Sequence, residues 1–354
     1  MSLYQSEKYI EDIKCVAGLD FPWDKLKGKS VMLSGATGLI GSFLIDVIME
    51  KNASDGLNCI VYALGRNENK ARNRFSAYCD ERLVFIPYDI NHPLIREDIG
   101  QVEYVLHLAS NTHPLQYSTD PIGTITTNIL GVQNMLEFAV KHKAARFAFA
   151  SSNEIYGENR GDVEFFTEDY CGYINSNTMR AGYPESKRCG EALCQAYRKQ
   201  KNVDIVIPRF TRTYGPTMLM SDSKAISQFI KKGILGEDIV LKSEGKQLYS
   251  YSYVADSVSG LLTVLLKGEC GEAYNIAEEH SDIALRDLAE LIAATVSRKV
   301  VYEIPDAVEA AGYSAATKAR LDGHKLQMLG WKPMFSIHTG IERTIRILQE
   351  IRNS

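Results

Sequence analysis

A short run of apolar and small residues, Ser30-Val31-Met32-Leu33-Ser34, leads straight into Gly35-Ala36-Thr37-Gly38-Leu39-Ile40-Gly41, and a helical pattern follows from Leu39 to about Lys51. A strand that enters a glycine turn and leaves it as a helix aims the free N–H groups of the first helical turn at one point. Glycine at 35 permits the tight turn, at 38 it lets a phosphate approach the backbone, and at 41 it lets helix pack on strand. Gly35, Thr37, Gly38, Leu39, Ile40 and Gly41 are therefore a candidate diphosphate cradle; a plain strand–helix turn is the bland alternative.

The pattern repeats. Residues 59–64, 83–87, 104–108, 146–150 and 203–207 read as short apolar strands, with helical periodicity over 67–79, 120–142 and 184–200 and a lead-in helix over 4–17. Strands alternating with helices at this spacing predict an α/β fold, a doubly wound parallel sheet covered on both faces. Beyond about residue 209 the rhythm loosens. We expect a dinucleotide-binding domain over 1–208, rejoined by a return segment at about 253–267, and a smaller mixed α/β lobe over most of 209–354. The stretch 158–182, rich in Gly, Asn and acids, reads as a long functional loop.

Composition narrows the partners. Of 354 residues, 45% are apolar and the formal net charge is −4, which argues against a nucleic-acid surface. No apolar run reaches membrane-spanning length and no secretory leader is recognisable, so no membrane partner is expected. Seven cysteines, an odd number without a C-x-x-C pair, fit free thiols, a reducing cytoplasm and no structural metal.

Tyr183 and Lys187 lie one helical turn apart, with Pro184 placing Tyr183 at a helix mouth. A tyrosine acts as a base near neutral pH only if its phenolate is stabilised, and a lysine one turn away beside a cationic nicotinamide provides that. Ser151-Ser152 closes the preceding strand and Glu154 follows two residues on; Ser152 is suited to hold a reacting alcohol and Glu154 to work as acid or base in the same cavity. Taken singly, these residues read equally well as a strand-end cap and a solvated acid. At the tip of the second strand, Arg66 stands where an acid would hold the ribose of NAD, which suits the 2′-phosphate of NADP.

With these motifs in order, the chain resembles the extended short-chain dehydrogenase/reductase family of nucleotide-sugar enzymes. The resemblance rests on the loop 35–41, His107-Leu108-Ala109-Ser110, Ser151 to Gly157, Tyr183 with Lys187, Pro208-Arg209, Tyr214-Gly215-Pro216, Tyr253-Val254-Ala255-Asp256 and Leu329-Gly330-Trp331. Within it, Glu168-Asp169-Tyr170, Arg180-Ala181-Gly182-Tyr183, Met218, Met220, Asp222 and Ser227 to Ile230 are most similar to UDP-glucuronate decarboxylases. The resemblance implies a Rossmann domain and NAD or NADP, contacted also by Asp89 and Ile90 near the adenine, and by Leu108, Ala109, Ser110 and Asn128. It implies a nucleotide sugar met by Ser110, Arg180, Arg209 and the positions of Thr217 and Tyr249. Family members usually carry arginine at position 249, and the decarboxylases at position 217; Lys224, Lys246 and Arg320 are the candidate substitutes.

The expected chemistry is oxidation of the sugar C4 by Tyr183, Lys187 and Ser152, then decarboxylation or dehydration assisted by Glu154. A 4-epimerase or 4-ketoreductase, in which Glu154 is incidental, and a non-catalytic dinucleotide sensor are the alternatives. The family also implies a homodimer, through helices 120–142 and 184–200 and apolar positions such as Leu136, Val140, Leu193 and Cys194.

Overall fold

The computed structural model describes residues 2–112, 114–303 and 317–353. Its first half is built from α1 (Glu7–Ala17), β1 (Ser30–Ser34), α2 (Leu39–Asp55), β2 (Ile60–Gly65), α3 (Glu68–Arg74), β3 (Leu83–Pro87) and β4 (Tyr104–His107). Then come α4 (Pro114–Thr119), α5 (Pro121–Lys141), β5 (Arg146–Phe149), β6 (Ser151–Ser152), α6 (Gly182–Lys201) and β7 (Ile205–Phe210). The second half holds β8 (Arg212–Tyr214), α7 (Ala225–Leu235), β9 (Ile239–Leu241), β10 (Leu248–Tyr253), α8 (Val254–Lys267) and β11 (Ala273–Ile276). It ends with β12 (Asp282–Ala284), α9 (Leu285–Thr295), β13 (Val300–Tyr302), β14 (Lys318–Ala319), α10 (His324–Gln327) and α11 (Ile337–Asn353).

The main sheet runs β3-β2-β1-β4-β5-β7-β11 with β6 beside β7, and every pairing is parallel. A parallel sheet buried on both faces demands continuous apolar strands. β1 satisfies this: Val31, Met32 and Leu33 are fully buried, each contributing about 1.5–3 kcal/mol if wholly removed from water. The order reverses at β1, whose neighbours are β2 on one side and β4 on the other, and ligands bind outside the strands' carboxyl ends at such a point. Helix ends follow local rules. Asp120 caps α5 by accepting from the Gly123 N–H, with Pro121 at the first position, and Gly56 closes α2 in the left-handed conformation.

The small lobe carries two further sheets, one of β12-β10-β14 with β8 added to β10, and one of β13 with β9. After β10 the chain returns to the main sheet through α8 and, beyond the expected 253–267, through β11. Part of the small lobe's expected mixture of short elements, residues 304–316, lies outside the described residues. All seven cysteines are free thiols. Among the described residues no helix is long and apolar enough to cross a membrane.

One expectation needs correcting. Leu136 and Cys194 do not lie on outer faces of α5 and α6: both are fully buried in the core that also holds Val105, Phe147 and Phe149 of the sheet, with Val140 and Leu193 packed against it. The helical period turns these positions inward. The exposed apolar side chains of α5 are instead Ile122, Ile125 and Leu130, towards its start.

Candidate active site

A cavity of about 830 Å³ opens over the carboxyl ends of β1, β2, β4 and β6 and runs on beneath the small lobe. Its floor begins at the glycine loop. Gly35 has φ of +75°, and a Cβ there would stand 2.9 Å from the Ala109 N; a Cβ on Gly41 would collide with the Gly35 carbonyl oxygen. Neither position tolerates a side chain. The Ser34 hydroxyl takes hydrogen bonds from the N–H groups of Leu108 and Ala109, both at 3.2 Å, and lies 2.9 Å from His107 Nδ1, locking the β1 and β4 loops together. The cradle thus leaves backbone bare where an extended diphosphate would lie.

Gly35, Thr37, Gly38, Leu39, Ile40 and Gly41 all line the cavity, as do Arg66 at the tip of β2 and Asp89 with Ile90 after β3. Asn91, beside them, has a buried Oδ1 with no hydrogen-bond partner among the described residues, an acceptor available to an amino group such as that of adenine. Leu108, Ala109 and Ser110 continue the wall. Asn128 stands behind it: it accepts from the Ser110 hydroxyl at 2.7 Å and donates to Ser186 at 2.9 Å, orienting Ser110 from outside the cavity. These residues fit a dinucleotide.

Ser152, Glu154, Tyr183 and Lys187 all line the same cavity. α6 begins at Gly182, so Tyr183 and Lys187 lie one turn apart on its inner face, and the Lys187 ammonium donates to the Ala150 carbonyl at 2.9 Å. Its nitrogen is 5.9 Å from the centre of the Tyr183 ring. Burial pushes the Tyr183 phenol up to about 12, although Ser152, Arg180 and Ser110 draw it the other way. Burial likewise pulls the Lys187 ammonium down to about 7 against the influence of Glu191 and Cys194. Desolvation therefore outweighs these lowering influences, and in the protein alone Tyr183 holds its proton at neutral pH.

Two residues that pattern reading passed over complete the centre. Tyr117, on α4, stacks on Tyr183 with centroids 5.0 Å apart, and the Arg180 guanidinium lies 4.7 Å from the centre of the Tyr117 ring. Nothing local in Pro114–Thr119 flags that short helix. Arg212 opens β8 and faces the cavity beside Tyr249. Strand alternation after Arg209 was the available signal for it. Glu154 accepts from Arg180 Nη2 at 2.8 Å and lies 4.0 Å from Arg212.

Not every expected substrate contact reaches the cavity. Arg209 lies behind it, donating to Glu191 at 3.0 and 2.7 Å, to the Tyr156 hydroxyl at 2.9 Å and to the Glu168 carbonyl at 2.6 Å. Thr217 is buried with its hydroxyl on the Leu39 carbonyl at 2.8 Å, tying the small lobe to the cradle helix. Of the basic residues expected to replace the missing arginines, Lys224 lines the cavity, paired with Asp222. Lys246 is an exposed partner of Glu244, and Arg320 is held by Asp282 and Glu164.

Residues 31–277 match the model of the NAD dependent epimerase/dehydratase family. The chain belongs to that family. It is 33% identical over 325 residues to UDP-glucuronic acid decarboxylase 1 of Danio rerio, covering 90% of this chain and 72% of the relative. UDP-glucuronic acid decarboxylase 2 of Arabidopsis thaliana is 30% identical, with coverages of 91% and 68%. Among solved structures, the fold is that of dTDP-glucose 4,6-dehydratase from Streptomyces venezuelae with NAD bound (TM-score 0.77, 23% identity, 92% of this chain and 98% of that one). It is also that of UDP-glucuronic acid 4-epimerase from Bacillus cereus in complex with UDP-glucuronic acid and NAD (TM-score 0.76, 22% identity, 91% and 99%).

Proposed function

We propose that this family member oxidises C4 of the sugar in a nucleotide sugar and uses the resulting ketone to eliminate a group on the C5 side, with the decarboxylation named for its UDP-glucuronic acid relatives as the favoured reaction. The observation that carries the reading is the convergence of Ser152, Tyr183, Lys187 and Glu154 in the same cavity as the glycine cradle. When bound, NAD supplies the hydride acceptor for C4 and a positive charge beside the phenol.

Tyr183 receives the proton of the 4-hydroxyl while Ser152 orients that hydroxyl. Lys187, fixed on the Ala150 carbonyl, helps hold the negative charge on the Tyr183 oxygen. With C4 a ketone, the bond from C5 to a carboxylate can break, its electron pair moving into the C5–C4–O system as CO2 departs. A proton then returns to C5, and Glu154, lining the same cavity, is the group assigned to give or take it. Arg66 at the β2 tip favours NADP over NAD in this reading, and equal affinity for both in a titration would remove that preference. A homodimer through Ile122, Ile125 and Leu130 and a cytoplasmic location for the free thiols complete it; sedimentation tests the former.

One observation favours a second reading, a 4-epimerase: the Glu154 carboxylate is engaged by Arg180 and stands ready for no proton transfer while that bond lasts. Incubation with UDP-glucuronate and other nucleotide sugars, followed by mass spectrometry of the products, separates the two. Loss of CO2 or of water supports the first reading; unchanged mass with altered stereochemistry supports the second.

A further inference from the structure

Two guanidinium groups border the cavity around a single carboxylate. Arg180, from the turn before α6, donates to one oxygen of Glu154 at 2.8 Å, and Arg212 lies 4.0 Å from the other. In the β8–β10 register Arg212 pairs with Tyr251, so Tyr249 is its diagonal neighbour on the same face of the sheet. The Arg212 guanidinium carbon sits over the Tyr249 ring, 3.4 Å from its centre, the contact of a cation on a π face.

These donors exceed what the protein accepts. Nε and Nη1 of Arg180 and Nη1 of Arg212 are shielded from solvent and have no hydrogen-bond partner among the described residues. Charged donors buried without acceptors are costly, and each arginine side chain is less than a fifth exposed (17% and 18%). Glu154 meets only part of the demand. An anion entering the cavity meets the rest with charge-assisted hydrogen bonds, stronger than those a neutral oxygen in the same place would accept.

We propose that Arg212, held over the Tyr249 ring, forms with Arg180 the receptor for an anionic group of the substrate, a carboxylate or a phosphate, and so replaces the arginine absent at position 249. The proposal deepens the nucleotide-sugar reading above and rests on it. Because the cation and the ring are in contact, exchanging them between positions 212 and 249 leaves a guanidinium in nearly the same place. Lysine at 212 lacks the planar fork and cannot reproduce the stacked arrangement.

The test is calorimetric titration of the NAD-loaded protein with UDP-glucuronate, UDP-glucose and UDP. Arg212→Gln is expected to weaken UDP-glucuronate by about 10- to 100-fold, the loss expected for a hydrogen-bonded charge pair, with NAD affinity unchanged as the control for folding. If UDP-glucose and UDP bind the variant as they bind the wild type, the anion is the sugar carboxylate; if all three weaken together, it is the diphosphate. Arg212→Lys is expected to recover little, and the exchange variant Arg212→Tyr/Tyr249→Arg to recover much of the affinity. Arg212→Gln binding all three as tightly as the wild type would overturn the receptor while leaving the nucleotide-sugar reading intact. A wild-type protein that binds none of the three would sink that reading, and the receptor with it.

Discussion

Replacing Arg209 separates a structural role from a substrate role. Its guanidinium makes two bonds to Glu191 and one each to the Tyr156 hydroxyl and the Glu168 carbonyl, and the two charged side chains are only 9% and 15% exposed. Arg209→Met keeps the volume and removes every donor. Glu191 then retains the Ser151 hydroxyl, at 2.5 Å, as a weaker partner. Breaking one side of a buried pair costs about 3–5 kcal/mol, and the residual solvent access of Glu191 places this case near about 3 kcal/mol. That raises the unfolded fraction roughly a hundredfold. Urea denaturation should show a lower midpoint at unchanged slope, and Arg209→Met/Glu191→Met should regain most of the loss, since removing both charges leaves neither charge of the pair buried alone. Affinity for UDP-glucuronate under folding conditions should stay within about twofold, well under the tenfold that 1.4 kcal/mol represents. A single variant stable to within about 0.5 kcal/mol, yet unable to bind the nucleotide sugar, would refute this placement of Arg209.

Three more expectations concern the cavity. Tyr183→Phe should abolish turnover with NAD affinity unchanged, and measurable product would contradict its role as proton acceptor. Gly41→Ala drives a methyl into the Gly35 carbonyl and should weaken NAD by about tenfold or more, read by fluorescence titration. Lys187, with its proton affinity lowered from 10.5 to about 7 in the fold, gives a signed pH dependence. As pH falls from 10 towards 7 the unfolded chain binds a proton that the folded chain refuses, so the wild type loses stability across that window and is level below it. Lys187→Met should therefore gain on the wild type between about pH 9 and pH 7, and parallel urea midpoints would argue that the amine is not desolvated.

Much of this was legible because local rules and the global fold agree. The strand, the glycine loop and the helix that follows carry their own geometry, so β1 through α2 needed no tertiary information, and a four-residue spacing sufficed to put Tyr183 and Lys187 on one face. What escaped was set by partners distant in sequence. Arg209 and Arg212 lie three residues apart, yet one turns to Glu191 and the other to Tyr249, because the chain passes from the main sheet to the small lobe between them. Tyr117 escaped for a similar reason: its value comes from the Tyr183 ring against it. The depth at which Tyr183 is buried escaped too, because spacing reveals a neighbour's charge and not the desolvation that opposes it.

A ribosome would deliver this chain in an order that leaves its main sheet unfinished for a long time. β7 is complete at residue 210, but β11, which covers its outer edge, arrives only when residue 276 has emerged, after the whole run of β8 to α8. Until then β7 presents open backbone and an apolar face, the condition under which nascent chains pair wrongly. A fragment cut near residue 208 would be fixed in that condition, which makes it a poor choice for isolating the nucleotide-binding half.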